Sequence, residues 1–130
     1  ANVAFTGDSL MGAGCGRMFE GTAPMFLASL RRLAALPADT LVASGHEYTA
    51  ANLRFALSLE PARPSLILRI GEVAALRAAG KPTIPSRLSV ELETNPYLRV
   101  ADPALKARMG LPDATDAAVF AAIRTAKDKF

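Results

Sequence analysis

A chain of 130 residues, 51% of them hydrophobic, is long enough for one domain with its own core and too short for two comfortable ones. No apolar run approaches the roughly 20 residues that span a bilayer, the first residues lack signal-peptide character, and the single cysteine cannot pair internally. A soluble, cytoplasmic protein is expected, and a net charge of +3 from scattered basic residues suits a small acidic ligand better than nucleic acid.

Alanine is abundant, aromatics are few and Trp is absent, which favours close-packed helices over a sandwich of bulky sheets. The chain opens at Ala1 only two residues before strand-like Val3 to Phe5, so Ala1 is expected to be a cut point within a longer chain. That strand stops at Gly7 and delivers Asp8 into a loop carrying Gly12, Gly14 and Gly16, where small side chains leave the backbone open to a ligand. Thr22 is positioned to cap a helix with Phe26, Leu30 and Leu33 at helical spacing, and Pro24 fits its first turn. Pro37-Ala38-Asp39 then turns the chain into a second strand, Leu41 to Ala43, ending in Ser44-Gly45-His46-Glu47-Tyr48.

Thr49 is expected to cap a second helix through Leu53, Ala56 and Leu57, stopped between Pro61 and Pro64. A third runs from about Ser65 to Ala79, with Leu66, Ile70, Val73 and Leu76 on one side and Gly80-Lys81-Pro82 as its stop. From Lys81 to Arg99 three prolines punctuate an ordered loop in which only Leu88 to Glu93 suits a short helix. Asp102-Pro103 opens a helix ending at Gly110, and Thr115 or Asp113 caps a last one with Ala118, Ala122 and Ala126 among its apolar positions. Arg124 and Lys127, three apart on it, point the same way.

Asp8 and His46, the only histidine, each follow a glycine at the end of an apolar strand, so both side chains can emerge at one sheet edge. An Asp and a His suit Zn, Mn or Fe, but two ligands fall short of a site that needs three from protein. Each also has a plain reading, Asp8 as a turn cap and His46 as a hydrogen-bonded core or turn residue. Cys15 with His46 as base would make a nucleophile, although a small thiol amid glycines is more often packing. Arg17, Arg124 and Lys127 can form an anion clamp or a solvated face, and Tyr48 can hydrogen-bond a ligand near His46.

The segments FTGDSLMGAGCGRMFEG, SGHEYTAANLRFA, TNPYLR and IRTAKDKF resemble, in order and spacing, the C-terminal half of the glyoxalase II (hydroxyacylglutathione hydrolase) family of the metallo-β-lactamase superfamily. The resemblance implies an α+β fold, mainly helical here: residues 1–48 as the C-terminal part of a metallo-β-lactamase αββα sandwich and residues 49–130 as a helical glutathione-substrate-binding domain. It implies hydrolysis of an S-(2-hydroxyacyl)glutathione thioester by two divalent metal ions, Zn with Fe or Mn as alternatives. Asp8 and His46 would hold metal, while Arg17, Tyr48, Arg124 and Lys127 would hold glutathione. Phe19 replaces a tyrosine found in some members, and Met25 a glutamate that would complete a capping box with Thr22. The family's T-H-x-H-x-D-H motif belongs to an N-terminal half outside this sequence, so the 130 residues alone are expected to be inactive. A reading of another class is a non-catalytic helical module that binds glutathione or another acidic ligand.

Overall fold

A computed structural model describes residues 3–7, 10–16, 22–44 and 47–130. The chain is α+β and mainly helical. Strand β1 (Val3–Gly7) runs parallel to β4 (Leu41–Ser44), and β4 pairs antiparallel with β5 (Ser86–Arg87), giving the order β1-β4-β5. A separate two-stranded hairpin joins β2 (Leu10–Met11) to β3 (Gly14–Cys15). The hairpin and β5 are additions to the sequence expectation, because strands of two residues carry too little alternation to show a period.

Helices α1 (Ala23–Ala34), α2 (Thr49–Leu59) and α3 (Pro64–Ala78) lie close to their expected spans. Thr22 caps α1, its hydroxyl accepting the Met25 N–H. Thr49 does not cap α2: it is the first helical residue, follows Tyr48 at the cap position, and is 1% exposed. Its hydroxyl lies 2.7 Å from that of Thr83, so a tertiary partner has replaced the local capping bond.

The segment after α3 is more ordered than its prolines suggest. Helix α4 (Leu88–Thr94) follows β5 directly, and Asn95 then accepts the Tyr97 N–H to start a single 3-10 turn over Pro96–Leu98. Helix α5 (Pro103–Arg108) is capped by Asp102, and α6 (Asp116–Asp128) by Thr115. The buried face of α6 is Val119, Phe120, Ile123 and Arg124, whereas Ala118 is exposed. Phe120 orients that helix: its ring meets Phe26 at 5.8 Å and Tyr97 at 5.5 Å, contacts that an alanine face cannot supply.

The main core draws on every layer, with Leu30 from α1, Val42 from β4, Phe55 from α2, Leu88 from α4 and Ile123 from α6. A second cluster gathers Ala13 at the hairpin tip with Leu53 and Ala56 of α2 and Leu66 and Val73 of α3. The hairpin is thus held between two cores. On β1, Val3 and Phe5 remain 47% and 87% exposed on the sheet's edge strand.

Candidate functional site

Strand pairing places side by side the two strand ends from which the loops singled out by sequence depart. Gly7 at the end of β1 is the registered partner of Ser44 at the end of β4, and the strands are parallel, so both chains leave the sheet at the same edge. Asp8 follows Gly7, and Gly45-His46 follows Ser44. Asp8, Arg17, Phe19 and His46 themselves lie outside the described residues. Among the described residues no group of three or more His, Cys, Asp or Glu side chains could hold a metal ion.

Immediately beyond His46, the carboxylate of Glu47 accepts both the backbone N–H (3.1 Å) and the hydroxyl of Thr83. This ties the exit from β4 to the loop before β5. Tyr48 follows, half exposed at the cap of α2. Four and seven residues on, Asn52 and Phe55 continue the same helix face. Asn52 donates to the Gly12 carbonyl at 3.1 Å, and the Phe55 ring lies 5.9 Å beneath the Lys127 ammonium. The Phe130 ring meets Phe55 edge-on at 5.5 Å. Tyr48 and Lys127 therefore flank one stripe of α2, a phenol at one end and an ammonium near the other.

Arg124 is in a different environment. It shares the inward side of α6 with Lys127, but it is only 5% exposed. Its Nη1 donates to the carbonyls of Cys15 (2.8 Å) and Gly16 (3.3 Å), and its Nη2 to Asp128 (3.0 Å). The solvated-face reading fails for this residue, because its guanidinium is buried, with Nη1 on two successive main-chain carbonyls and Nη2 on a carboxylate.

The glycine loop is closed to an approaching ligand at Gly12 and Gly14, contrary to the sequence expectation. A Cβ on Gly14 would fall 2.6 Å from Asn52 Nδ2, and one on Gly12 would collide with the Thr49 hydroxyl. These glycines admit the side chains of α2 to the hairpin backbone. Ala13 between them has φ of +58°, a left-handed conformation that few non-glycine residues adopt.

The Cys15 thiol is inert as a nucleophile. Burial pushes its pKa up from 9.0 to about 12, against the lowering influence of the neighbouring Arg124 guanidinium. Burial likewise raises the Tyr97 hydroxyl, with the adjacent Cys15 adding to the effect. A hollow of about 560 Å³ between α1 and the start of α6 is lined by Arg31, Arg32, Thr115 and Asp116 among others, and among the described residues none of the sequence-predicted site residues lines it.

Sequence reasoning missed the polar side chains that hold the hairpin from below. Glu91 of α4 is 0% exposed and pairs with Arg69 of α3 at 2.5 Å; Asn95 donates to the Gly14 carbonyl at 2.9 Å. Charged residues on short helices read as solvent-facing when no tertiary partner is visible. The one available signal was the Glu91 and Asn95 spacing of four, which stacks them on one face of α4.

Residues 47–130 match the family model described as "Hydroxyacylglutathione hydrolase C-terminus". The chain belongs to this family. It is similar to proteins named hydroxyacylglutathione hydrolase from Cereibacter sphaeroides (62% identical over 130 residues) and Roseobacter denitrificans (57% over 130 residues). In both cases the match covers 100% of this chain and 51% of the relative. A third such relative, from Brucella anthropi, is 52% identical over 130 residues, again the whole of this chain and 50% of the relative. The chain spans about half the length of the curated relatives it matches. The family match begins at Glu47, so the α2 stripe and the helices that carry Arg69 and Arg124, α3 and α6, fall within it.

Proposed function

We propose that the protein containing this chain hydrolyses S-(2-hydroxyacyl)glutathione thioesters to glutathione and a 2-hydroxy acid such as lactate, acting in the cytoplasm. The observation that carries the proposal is the parallel pairing of Gly7 with Ser44, which brings the exits toward Asp8 and His46 to one edge. Membership of the hydroxyacylglutathione hydrolase family and relatives of that name support the same chemistry. No helix among the described residues is long and apolar enough to cross a membrane.

In this reading Asp8 and His46 contribute ligands to two divalent metal ions, zinc with iron or manganese as alternatives. A carboxylate and an imidazole are the donor types such ions take. When bound, the metal pair supplies Lewis acidity and a nucleophile at neutral pH. The remaining ligands would come from an upstream half, so the 130 residues alone would bind metal weakly and turn over nothing. Residues 1–48 would be the C-terminal part of a metallo-β-lactamase-like domain, completed by that half over the exposed Val3 and Phe5 face of β1. Residues 49–130 would form the substrate-binding domain.

Glutathione carries two carboxylates, which the cations Arg17, Arg124 and Lys127 would receive. Lys127, half-buried over Phe55, and Tyr48 at the other end of the α2 stripe would orient the peptide. Arg17 would add a second cation. Arg124 would act from beneath, its charge only 5% exposed and its Nη1 held on the Cys15 and Gly16 carbonyls.

The test is Lys127→Ala in the full-length, metal-loaded protein. A remote carboxylate contact acts mainly as uniform binding, so KM for the glutathione thioester should rise about tenfold with kcat little changed. An unchanged KM would remove Lys127 from the substrate site. Absence of thioester hydrolysis in the unmodified, metal-loaded protein, with saturable glutathione binding retained, would replace the hydrolase reading by a binding module.

A further inference from the structure

In the chain the β2–β3 hairpin lies between two of the candidate site residues, Asp8 and Arg17. Leu10 in its first arm stands two residues after Asp8, and Cys15 in its second arm two residues before Arg17. Two residues of chain reach about 7 Å at most, so displacement of so short a hairpin passes directly to both ends.

The tip of that hairpin is strained and buried, and the Ala13 amide at its centre is held by one side chain. Ala13 sits at φ +58° and is 1% exposed. Its N–H donates to Oε1 of Glu91 at 2.9 Å. The same carboxylate gathers three more donors: Asn95 Nδ2 on Oε1 (3.2 Å), and Arg69 Nη2 (2.5 Å) and Ser86 Oγ (2.7 Å) on Oε2. Arg69 is fixed in turn by its Nη1 on the Thr94 hydroxyl at 2.6 Å. Asn95 then donates to the Gly14 carbonyl, so Glu91 of α4 and the residue that caps its end take hold of both an N–H and a C=O at the tip.

Resting on the hydrolase reading above, we propose that Glu91, supported by Arg69, is a positioning residue for that site: its carboxylate pins the Ala13 amide and thereby fixes the hairpin that lies between Asp8 and Arg17 in the chain. A buried ion pair is poor evidence for stability, because well-packed apolar residues of similar volume often replace one at no loss. A carboxylate does what an apolar residue cannot, which is to satisfy a buried amide in a left-handed turn while joining it to α3, α4 and β5.

Two double variants of the full-length protein separate positioning from bulk stability. Arg69→Met with Glu91→Gln removes the charges but keeps an acceptor for the Ala13 amide; Arg69→Met with Glu91→Leu keeps only the volume. With both folded by circular dichroism and thermal melting, the leucine variant should raise KM for the glutathione thioester about tenfold, and the glutamine variant should stay within about threefold of the parent. A purely structural role would lower the active fraction, hence kcat, and leave KM alone. Equal KM in the two variants overturns the proposal.

Should the leucine variant not fold, Glu91→Asp retracts the carboxylate by one methylene while keeping the charge opposite Arg69. An unchanged KM there overturns the proposal, and a rise of similar size supports it. If the parent itself hydrolyses no thioester, the hydrolase reading is what has failed. The clamp is then read from amide exchange over residues 10–16, expected to be faster with leucine and parent-like with glutamine; identical exchange removes the clamp as well.

Discussion

Arg124 Nη1 lies 2.8 Å from the carbonyl oxygen of Cys15 and 3.3 Å from that of Gly16, 109 and 108 residues earlier in the chain. The last helix is thereby fixed to the loop that follows the first strand. Each buried carbonyl left without a donor costs about 1–3 kcal/mol, so Arg124→Ala should lower the free energy of unfolding by about 2–4 kcal/mol. Arg124→Lys should recover less than half, since a single ammonium does not reproduce a fork that holds both carbonyls through Nη1 and Asp128 through Nη2. Urea denaturation of the three proteins measures this. Full recovery by lysine would mean that charge alone matters.

Gly14 is required by the approach of Asn52. A Cβ there would lie 2.6 Å from Nδ2 and 2.7 Å from Cγ of that side chain. Overpacking of this kind costs about 1–3 kcal/mol, and Gly14→Ala should be destabilised by that amount. Asn52→Ala opens the space but strands the Gly12 carbonyl that Asn52 serves. The two changes should therefore couple favourably, by about 1 kcal/mol in a double-mutant cycle. Strict additivity would show that Asn52 is not what excludes a side chain.

Cys15 should be unreactive in the folded protein. With its pKa pushed from 9.0 to about 12 by burial, almost no thiolate is present near neutral pH, and a disulfide reagent should modify it only on unfolding. The same shift sets an alkaline limit. Between pH 9 and about 12 the unfolded chain loses the thiol proton while the folded chain keeps it. The stabilisation is complete below that window and decays as pH rises through it, by up to about 1.4 kcal/mol per pH unit. Tyr97, raised in the same direction, adds to the loss. Cys15→Ala should flatten the alkaline slope of the unfolding free energy, and parallel slopes would count against burial as the cause.

On the acid side, Asp102 caps α5 by accepting the Ala104 N–H at 2.9 Å and also receives Arg99 at 2.5 Å. The backbone bond from Ala104, followed by the guanidinium of Arg99, holds its carboxyl below the usual range. Its contribution is present above that range and lost as pH falls through the lowered pKa. Asp102→Ala should cost about 1 kcal/mol, a typical capping loss, while Asp102→Asn keeps the cap but gives up the charge-dependent part of the stabilisation and with it the pH dependence. An asparagine variant as acid-sensitive as the parent would exclude Asp102 as the titrating group.

What the sequence determined by itself was local. Caps at Thr22, Asp102 and Thr115, prolines in first turns and a first strand ending at Gly7 are decided within a few residues of backbone, so they are visible without a fold. The four quoted segments were long enough to carry the family. What only the tertiary structure decided was the use of polar groups that meet across the chain. Glu91 meets Ala13, 78 residues away, and Arg124 meets Cys15, 109 residues away. The glycines that looked like an opening are the contact surface of α2, and the hydroxyl of Thr49 turned from its own helix to Thr83. The physical reason is common to all of these. A buried donor or acceptor must find a partner, and which partner is near depends on packing that no local spacing encodes.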